Sequence, residues 1–262
     1  MRPALLFDVN QTLLDTAALA PHISRIFGRK LTVSEWFTSV LQHSMATTLA
    51  GDYRPFGEVA LAVLEMAAAA RQIELRNTDI EKIQQTMKHL PLFPEVRKSL
   101  DRLHAANFRM AVLSNSAPAT LEEQLQHSGI RNYFERVLSV EIVRRYKPAP
   151  ETYAAAAASL GLPSQDILMV AAHHWDLLGA SRAGFRTAFL ARPGKALLPG
   201  APQPGYVAED LAGLTTQLLA AEPAVKPYPN NASRINRFAL AASVITAGML
   251  GRSLLLLSRL RR

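Results

Sequence analysis

Apolar runs of four to six residues alternate with amphipathic stretches over most of this 262-residue chain. The first run, residues 4–7, leads directly into Asp8 and is typical of a buried parallel strand. Further strands are predicted at 109–114, 136–139, 167–171 and 187–191, and helices at 96–106, 120–127, 150–160 and 176–183. Repeated strand–helix units of this length predict an α/β fold built on a doubly wound parallel sheet.

The stretch between the first two strands has helical spacing and almost no strand pattern. Helices are predicted at 17–27, 33–47, 56–71 and 77–87. Doubly wound sheets bind ligands outside the carboxyl ends of their strands, and this block leaves the sheet at that edge. We therefore expect a core domain of residues 1–14 and 92–222, with residues 15–91 inserted after the first strand as a helical cap over the ligand crevice.

The composition changes near residue 222. Residues 223–237 contain three prolines and two adjacent asparagines, which predicts a linker, and residues 238–262 predict an apolar, basic C-terminal helix. Its apolar part has about the length of a membrane span, but Arg252 interrupts it, and the flanking arginines suit acidic lipids. Two interpretations stay open: contact of 238–262 with a membrane surface, or packing of this helix on the core or on a partner subunit, as in a homodimer.

The net charge of +8 belongs mostly to this tail. The segment from residue 223 onward has seven basic and no acidic residues, so the first 222 residues carry about +1. A nucleic-acid-binding domain would carry its basic patch on the folded body, so nucleic acid is not an expected partner. The N-terminus lacks the pattern of a signal peptide. We therefore expect a cytoplasmic protein, associated with a membrane only if its C-terminal segment binds one.

Cysteine is absent, which excludes disulfides, thiolate nucleophiles and cysteine-ligated zinc. The polar groups that remain as candidates stand where predicted strands end or helices begin: Asp8, Ser114, Lys147 and Asp176. Taken singly, each has a plainer explanation as a helix cap or a solvated surface residue. Four of them in this order point instead to one site with a carboxylate nucleophile.

The order of a nucleophilic Asp, a strand-end Ser, a Lys-Pro pair and a strand-end acid resembles the haloacid dehalogenase superfamily, over roughly residues 4–220. The Ser114-Asn115 and Trp175-Asp176 pairs, with Tyr153, are similar to those of the type II 2-haloacid dehalogenases. The resemblance implies that Asp8 forms a covalent ester. The implied catalytic residues are Asp8, Thr12, Ser114, Lys147 and Asp176, and the implied substrate-binding residues are Asn10, Asn115, Tyr153, His173 and Trp175.

Two positions separate dehalogenase from phosphatase chemistry. Phosphatases of this superfamily normally carry a second Asp two residues after the nucleophile, where this chain has Asn10, an amide that cannot donate a proton to a leaving alkoxide. They also place an acidic magnesium ligand at the position of Ala172. Displacement of halide needs neither group. We therefore expect removal of halide from a small 2-haloacid, without cofactor or metal. A phosphatase acting on a small phosphate ester and a non-catalytic binding module remain the alternatives.

The chain also departs from the type II pattern. Asn10 stands where an aromatic residue is usual, and Phe37 follows Trp36 where an arginine is usual. Ala171 and His173 occupy positions of Ser and Asn. Arg54 is one candidate to replace the missing arginine, and His173 is one candidate to replace a missing hydrogen-bond donor.

Overall fold

The computed structural model describes residues 2–221, and its centre is a parallel sheet of six strands in the order β3-β2-β1-β4-β5-β6. The strands are β1 (Ala4–Phe7), β2 (Met110–Ser114), β3 (Arg136–Ser139), β4 (Ile167–Ala171), β5 (Arg186–Leu190) and β6 (Tyr206–Ala208). Every residue of β1, β2 and β4 is buried, which matches their unbroken apolar sequences. The predicted α/β fold with a doubly wound parallel sheet is confirmed.

Nine α-helices occur among the described residues. They are α1 (Ala20–Phe27), α2 (Val33–Ala50), α3 (Phe56–Ala69), α4 (Asn77–Lys88), α5 (Val96–Ala105), α6 (Pro118–His127), α7 (Pro150–Leu160), α8 (His174–Arg182) and α9 (Leu211–Ala220). The first four lie between β1 and β2 in the chain, as the expected cap requires. Residues 2–221 all fall within one compact unit, and the borders proposed between core and cap stay a prediction.

The register of the central strands brings three chain segments to one level. Phe7 of β1 pairs with Val112 of β2 on one side and with Val170 of β4 on the other. Because the three strands run parallel, the residues that follow them emerge together at the carboxyl edge of the sheet. Asp8 therefore emerges between the segments that follow β2 and β4.

An aromatic cluster joins the helical block to the loop that carries Lys147. The ring of Tyr146 lies 6.1 Å from that of Phe56, which begins α3, and 5.0 Å from that of Tyr53. The backbone N–H of Tyr146 also donates to the hydroxyl of Thr48 in α2, at 2.9 Å. Burial raises the pKa of Tyr53 to about 12 and raises that of Tyr146 as well, so both rings stay neutral in this contact. The block is thus fixed to the core directly beside Lys147.

Several predicted boundaries are wrong by two or three residues. The helix predicted from residue 17 begins as α1 at Ala20, because Thr16–Leu19 forms a 3₁₀ turn capped by the side chain of Asp15. Helix α8 begins at His174 rather than at 176, which places Asp176 in its first turn, where the helix dipole favours a carboxylate. Strand β6 was not predicted from the sequence.

The predicted linker at 223–237 and the C-terminal helix at 238–262 lie outside the described residues. Within residues 2–221, the helices are too short or too polar to cross a bilayer.

Candidate active site

Asp8 follows β1 directly and is held by its backbone and by its side chain. Its N–H donates to the carbonyl of Val170 in β4 at 3.0 Å, which fixes the residue in the sheet. Lys147 Nζ donates to Oδ1 at 2.8 Å, and the hydroxyl of Thr12 donates to Oδ2 at 2.7 Å. Only 8% of the side chain is exposed. Asp8 is therefore a buried carboxylate in a fixed orientation, as a nucleophile requires.

The ammonium group of Lys147 joins two carboxylates. Besides Asp8, it donates to Asp176 Oδ2 at 2.6 Å and to the carbonyl of Leu113 at 2.9 Å. An ammonium carries three protons, so all of its donors are used. Asp176 and Lys147 are almost completely buried, and the three charged groups form one cluster at the carboxyl edge of the sheet.

The two carboxylates of this cluster differ in proton affinity. Burial on its own would raise the pKa of Asp8, but the charge of Lys147 and the hydrogen bond and charge of His173 lower it below the ordinary value. For Asp176, burial raises the pKa, and the neighbouring charge of Asp8 adds to this rise. The pKa of Lys147 is raised by the two carboxylates in spite of its burial. Asp8 is thus the carboxylate that stays ionised to the lowest pH.

Tyr153 fixes the far side of Asp176. Its single hydroxyl proton is donated to Asp176 Oδ1 at 2.7 Å, and the backbone carbonyl oxygen of the same residue lies 3.0 Å from the hydroxyl oxygen. Burial and the charge of Asp176 raise its pKa well above the ordinary value, so the phenol keeps its proton. A Cβ atom at Gly179 would lie 2.7 Å from this hydroxyl, so a glycine is needed for the ring to approach. In this arrangement Tyr153 holds Asp176 in place, whereas its predicted contact with substrate stays a prediction.

The resemblance implied that Ser114, at the end of β2, donates a hydrogen bond to the nucleophile, and that the next residue, Asn115, binds substrate. The hydroxyl of Ser114 accepts from the N–H of Ser116 at 3.1 Å, and the structure has no hydrogen bond between Ser114 and Asp8 among the described residues. Asn115 Oδ1 accepts from the backbone N–H of Lys147 at 3.1 Å. Asn115 therefore fixes the loop that presents the lysine. The catalytic role predicted for Ser114 and the substrate contact predicted for Asn115 remain predictions.

Asn10 lies two residues after Asp8, on the side of this loop that faces α6. Its Nδ2 donates to the hydroxyl of Ser116 at 3.1 Å, and its Oδ1 accepts from Gln124 at 3.2 Å. Ser116 also lines a largely apolar cavity of about 290 Å³, together with Trp36 and Phe56. Both ends of the Asn10 amide are thus bonded within the protein, and its predicted contact with substrate stays a prediction.

His173 lies against the second oxygen of the nucleophile. Its Nδ1 is 3.2 Å from Asp8 Oδ2, and its ring lies 5.0 Å from that of Trp175. Its Nε2 is 2.9 Å from Gln11 Oε1, which in turn accepts from Lys195 Nζ. The sequence indicated His173 and Trp175 but not Gln11 or Lys195. Lys195 follows β5 in a loop without a recognisable motif, so no sequence signal pointed to it.

Arg192 is a second residue that the sequence analysis missed. It is buried, donates to the carbonyl of Thr12 at 2.9 Å and pairs with Glu95 at 2.6 Å. Its guanidinium carbon lies 3.8 Å from the ring centre of Phe93. Arg192 thus anchors the backbone of the loop that carries Asp8 and Thr12.

The suggestion that Arg54 replaces a missing arginine is wrong in this structure. The guanidinium of Arg54 pairs with Asp52 at 3.2 Å, and its side chain is 59% exposed. Only its backbone carbonyl faces the core, where it accepts from Tyr146. The cations that lie closest to Asp8 are those of Lys147 and, when protonated, His173.

The donor set does not fit a magnesium ion. Both carboxylates that would bind it, Asp8 and Asp176, are bonded to the same lysine ammonium, at 2.8 and 2.6 Å. The position expected to supply a further carboxylate ligand to magnesium is occupied by Ala172, which has no ligating atom in its side chain. No group of three His, Asp or Glu side chains that could hold a metal occurs in residues 2–221.

Comparison with known proteins adds independent information. A family model described as haloacid dehalogenase-like hydrolase matches residues 5–190. A haloacetate dehalogenase H-2 from Moraxella sp. (strain B) is 28% identical over 194 residues, which are 73% of this chain and 86% of that protein. An (S)-2-haloacid dehalogenase from Pseudomonas sp. (strain YL) is 30% identical over 190 residues, 72% of this chain and 82% of that protein.

Solved structures give the same result. The crystal structure of an L-2-haloacid dehalogenase superposes with a TM-score of 0.79 at 30% identity, covering 84% of this chain and 99% of that one. The enzyme from Xanthobacter autotrophicus with chloropropionic acid covalently bound has a TM-score of 0.77 at 25% identity, covering 85% of this chain and all of that one. With a family model matching well over half of its residues, the chain belongs to the haloacid dehalogenase-like hydrolases.

Proposed function

We propose that this protein hydrolyses small 2-haloacids through an aspartyl ester on Asp8. The observation that carries the proposal is the buried Asp8 carboxylate, held ionised beside Lys147 and fixed to the central sheet. A carboxylate in this state can displace halide from carbon along one line of attack. The similarity to (S)-2-haloacid dehalogenases, and to one with chloropropionic acid covalently bound, supports the same chemistry.

In the first step, an oxygen of Asp8 attacks C2 of the substrate, and the carbon–halogen bond breaks as halide takes the electron pair. Lys147 balances the charge of the free carboxylate, and Asp176 with Tyr153 holds the lysine in place. In the second step, water attacks the carboxyl carbon of the Asp8 ester. The products are the 2-hydroxy acid and the regenerated carboxylate.

The surroundings of residue 10 favour halide over phosphate as the leaving group. The amide of Asn10 is bonded to Ser116 and Gln124 and has no acidic proton to give to a departing alkoxide. Halide leaves as a stable anion and needs no proton. The shared ammonium between Asp8 and Asp176 likewise fits a reaction without a divalent metal.

The test is chloride release from racemic 2-chloropropionate by the full-length protein in excess chelator. We expect turnover by the wild type and none by Asp8→Asn, whose amide is a poor nucleophile. The matched control is Asp166→Asn, which changes a carboxylate in the 3₁₀ turn before β4, at the opposite edge of the sheet, and should retain activity.

Two results would contradict the proposal. One is the absence of chloride, bromide or fluoride release from 2-halopropionates and haloacetates by the wild type. The other is equal activity of Asp8→Asn and wild type. Turnover of phosphate esters with added magnesium would then favour a phosphatase, and no turnover of either class would favour a binding module.

A further inference from the structure

The two oxygens of the Asp8 carboxylate are bonded in different ways. Within residues 2–221, Oδ1 accepts from one donor, Lys147 Nζ. Oδ2 has two neighbours, the hydroxyl of Thr12 at 2.7 Å and Nδ1 of His173 at 3.2 Å. The Thr12 oxygen also accepts from the N–H of Ala172 at 3.0 Å, so its own proton is directed to Asp8. Oδ2 therefore lies in a small pocket of preorganised donors.

The hydrogen bonds around His173 determine which ring nitrogen carries a proton. Gln11 Oε1 accepts from Lys195 Nζ, an ammonium that can only donate, so the atom facing the ring is the amide oxygen. Nε2 of His173 faces this acceptor at 2.9 Å and the Lys195 nitrogen at 3.4 Å, so it has partners in both of its protonation states. In the described part of the chain, Nδ1 faces the carboxylate of Asp8 alone, and so Nδ1 carries a proton whether or not the ring is charged.

The position of His173 is well defined by its neighbours. It is 6% exposed, with the ring of Trp175 inclined beside it at 5.0 Å and Gln11 at its far end. Gln11 itself has a left-handed backbone conformation, with φ of 64°, and its Nε2 donates to the hydroxyl of Thr16 at 2.9 Å. A non-glycine residue in this conformation is uncommon and is kept where the surrounding contacts require it. This arrangement directs the Nδ1–H of His173 at Asp8 Oδ2.

We propose that Thr12 and His173 are the pair of donors that stabilises the oxyanion during hydrolysis of the Asp8 ester. The inference rests on the proposed function and assigns His173 a catalytic role in its second step. Oδ1, which has fewer donors, attacks C2 and becomes the ester oxygen, so Oδ2 becomes the ester carbonyl. When water attacks the carboxyl carbon, the carbonyl electron pair moves onto Oδ2, where both donors already point.

The step balances in atoms and charge. Collapse of the tetrahedral intermediate breaks the bond between the carboxyl carbon and Oδ1, which leaves with the product and takes up one proton from the water. The water oxygen stays on Asp8, and its second proton passes to solvent as the carboxylate ionises. His173 and Thr12 donate hydrogen bonds throughout, and neither loses its proton.

The prediction for a His173 variant is therefore specific to one half-reaction. His173→Ala should release chloride from 2-chloropropionate at nearly the wild-type rate in the first turnover, because Lys147 and the attacking oxygen are unchanged. Removal of one oxyanion donor typically slows the dependent step about 10²- to 10³-fold. Steady-state turnover should fall by that factor, and the Asp8 ester should accumulate.

The experiment combines rapid-quench chloride measurement with intact-protein and peptide mass spectrometry on the full chain. Wild type, His173→Ala and His173→Asn are compared, with His174→Ala as a matched control because it removes the adjacent, partly exposed imidazole. His173→Asn retains an N–H donor and should recover part of the lost rate. Far-UV circular dichroism and the unfolding midpoint establish that each variant folds.

The outcomes separate this inference from the proposed function. A chloride burst of about one equivalent per His173→Ala molecule, with the ester on the Asp8 peptide, supports the inference. Equal slowing of both steps, or turnover without ester accumulation, overturns it and leaves the proposed function standing. If the wild type itself releases no halide, the proposed function fails first.

Discussion

Removal of the Lys147 ammonium should destabilise the protein far more than loss of an ordinary surface lysine. At an effective dielectric constant of 20, the attraction between Lys147 Nζ and Asp8 Oδ1 at 2.8 Å is about 6 kcal/mol before desolvation. A second attraction of similar size acts on Asp176 at 2.6 Å. Desolvation offsets much of both terms, and removal of one partner from a buried ion pair usually costs about 3–5 kcal/mol. We expect Lys147→Met to lower the free energy of unfolding by about this amount at pH 7.

The pH dependence gives a second measure of the same effect. Without the ammonium, two buried carboxylates face each other, so their pKa values in the folded variant rise above those of the unfolded chain. Such groups take up protons on folding, and the folded variant gains stability as the pH falls. Each proton taken up changes the difference in free energy of unfolding between variant and wild type by about 1.4 kcal/mol per pH unit. The difference in free energy of unfolding between Lys147→Met and wild type should therefore become smaller from pH 7 to pH 5.

Urea unfolding followed by far-UV circular dichroism measures both quantities. Lys98→Met is the matched control, since Lys98 is exposed on α5 and its change should stay within about 0.5 kcal/mol. An exposed ion pair typically contributes up to about 1 kcal/mol. If Lys147→Met lowers the free energy of unfolding by less than this, the buried cluster of Lys147, Asp8 and Asp176 is refuted. If the difference in free energy of unfolding between variant and wild type does not depend on pH, the predicted proton uptake on folding is refuted.

Three further predictions follow from the packing and charge around the site. Gly179→Ala places a Cβ 2.7 Å from Pro148 Cβ and from the Tyr153 hydroxyl. We expect this substitution to lower the free energy of unfolding by about 1–3 kcal/mol and to slow chloride release. An unchanged melting temperature would contradict this packing. Arg192→Met removes a buried cation from its partners and should lower the free energy of unfolding by about 3 kcal/mol in urea titration, whereas a change below about 1 kcal/mol would show that these contacts contribute little. Because the pKa of Asp8 is lowered, the first-turnover rate of chloride release should be the same at pH 5 as at pH 7. The stability that the ionised Asp8 contributes should be lost only as the pH falls below the unfolded pKa of about 3.9 and through the lower folded pKa. An acid limb in the first-turnover rate centred at pH 4 or above would contradict the last prediction.

The sequence was sufficient for the central part of the site because that part follows from strand ends. A run of four apolar residues ending at Asp8 predicts a buried strand, and parallel strands place their carboxyl ends at one edge. The same rule brought the segments after β2 and β4 toward Asp8. The predicted proximity of Lys147 and Asp176 to Asp8 agrees with the structure, although their catalytic roles remain a proposal.

The outer part of the site depends on side-chain directions that the sequence pattern does not specify. Nothing in the run around Gln11 indicates a left-handed residue, and its amide reaches His173 only because of that turn. Asn10 was expected near substrate, but the pattern could not show that its amide is bonded to Ser116 and Gln124. Strand β6 was missed because it is a three-residue edge strand whose Val207 is exposed.

The central position of β1 has a consequence for how the chain folds during synthesis. Its four buried residues are synthesised before the partners that cover them, because β2 and β4 begin about 105 and 160 residues later in the chain. Contacts of such large sequence separation form slowly, because loop-closure entropy must be overcome before pairing contributes stability. The nascent chain therefore carries an apolar strand that lacks its partners until β2 and then β4 have been synthesised, and such strands promote aggregation. We expect early truncations that end before residue 167 to depend on chaperones, and the nucleophile to become ordered only when β4 has paired.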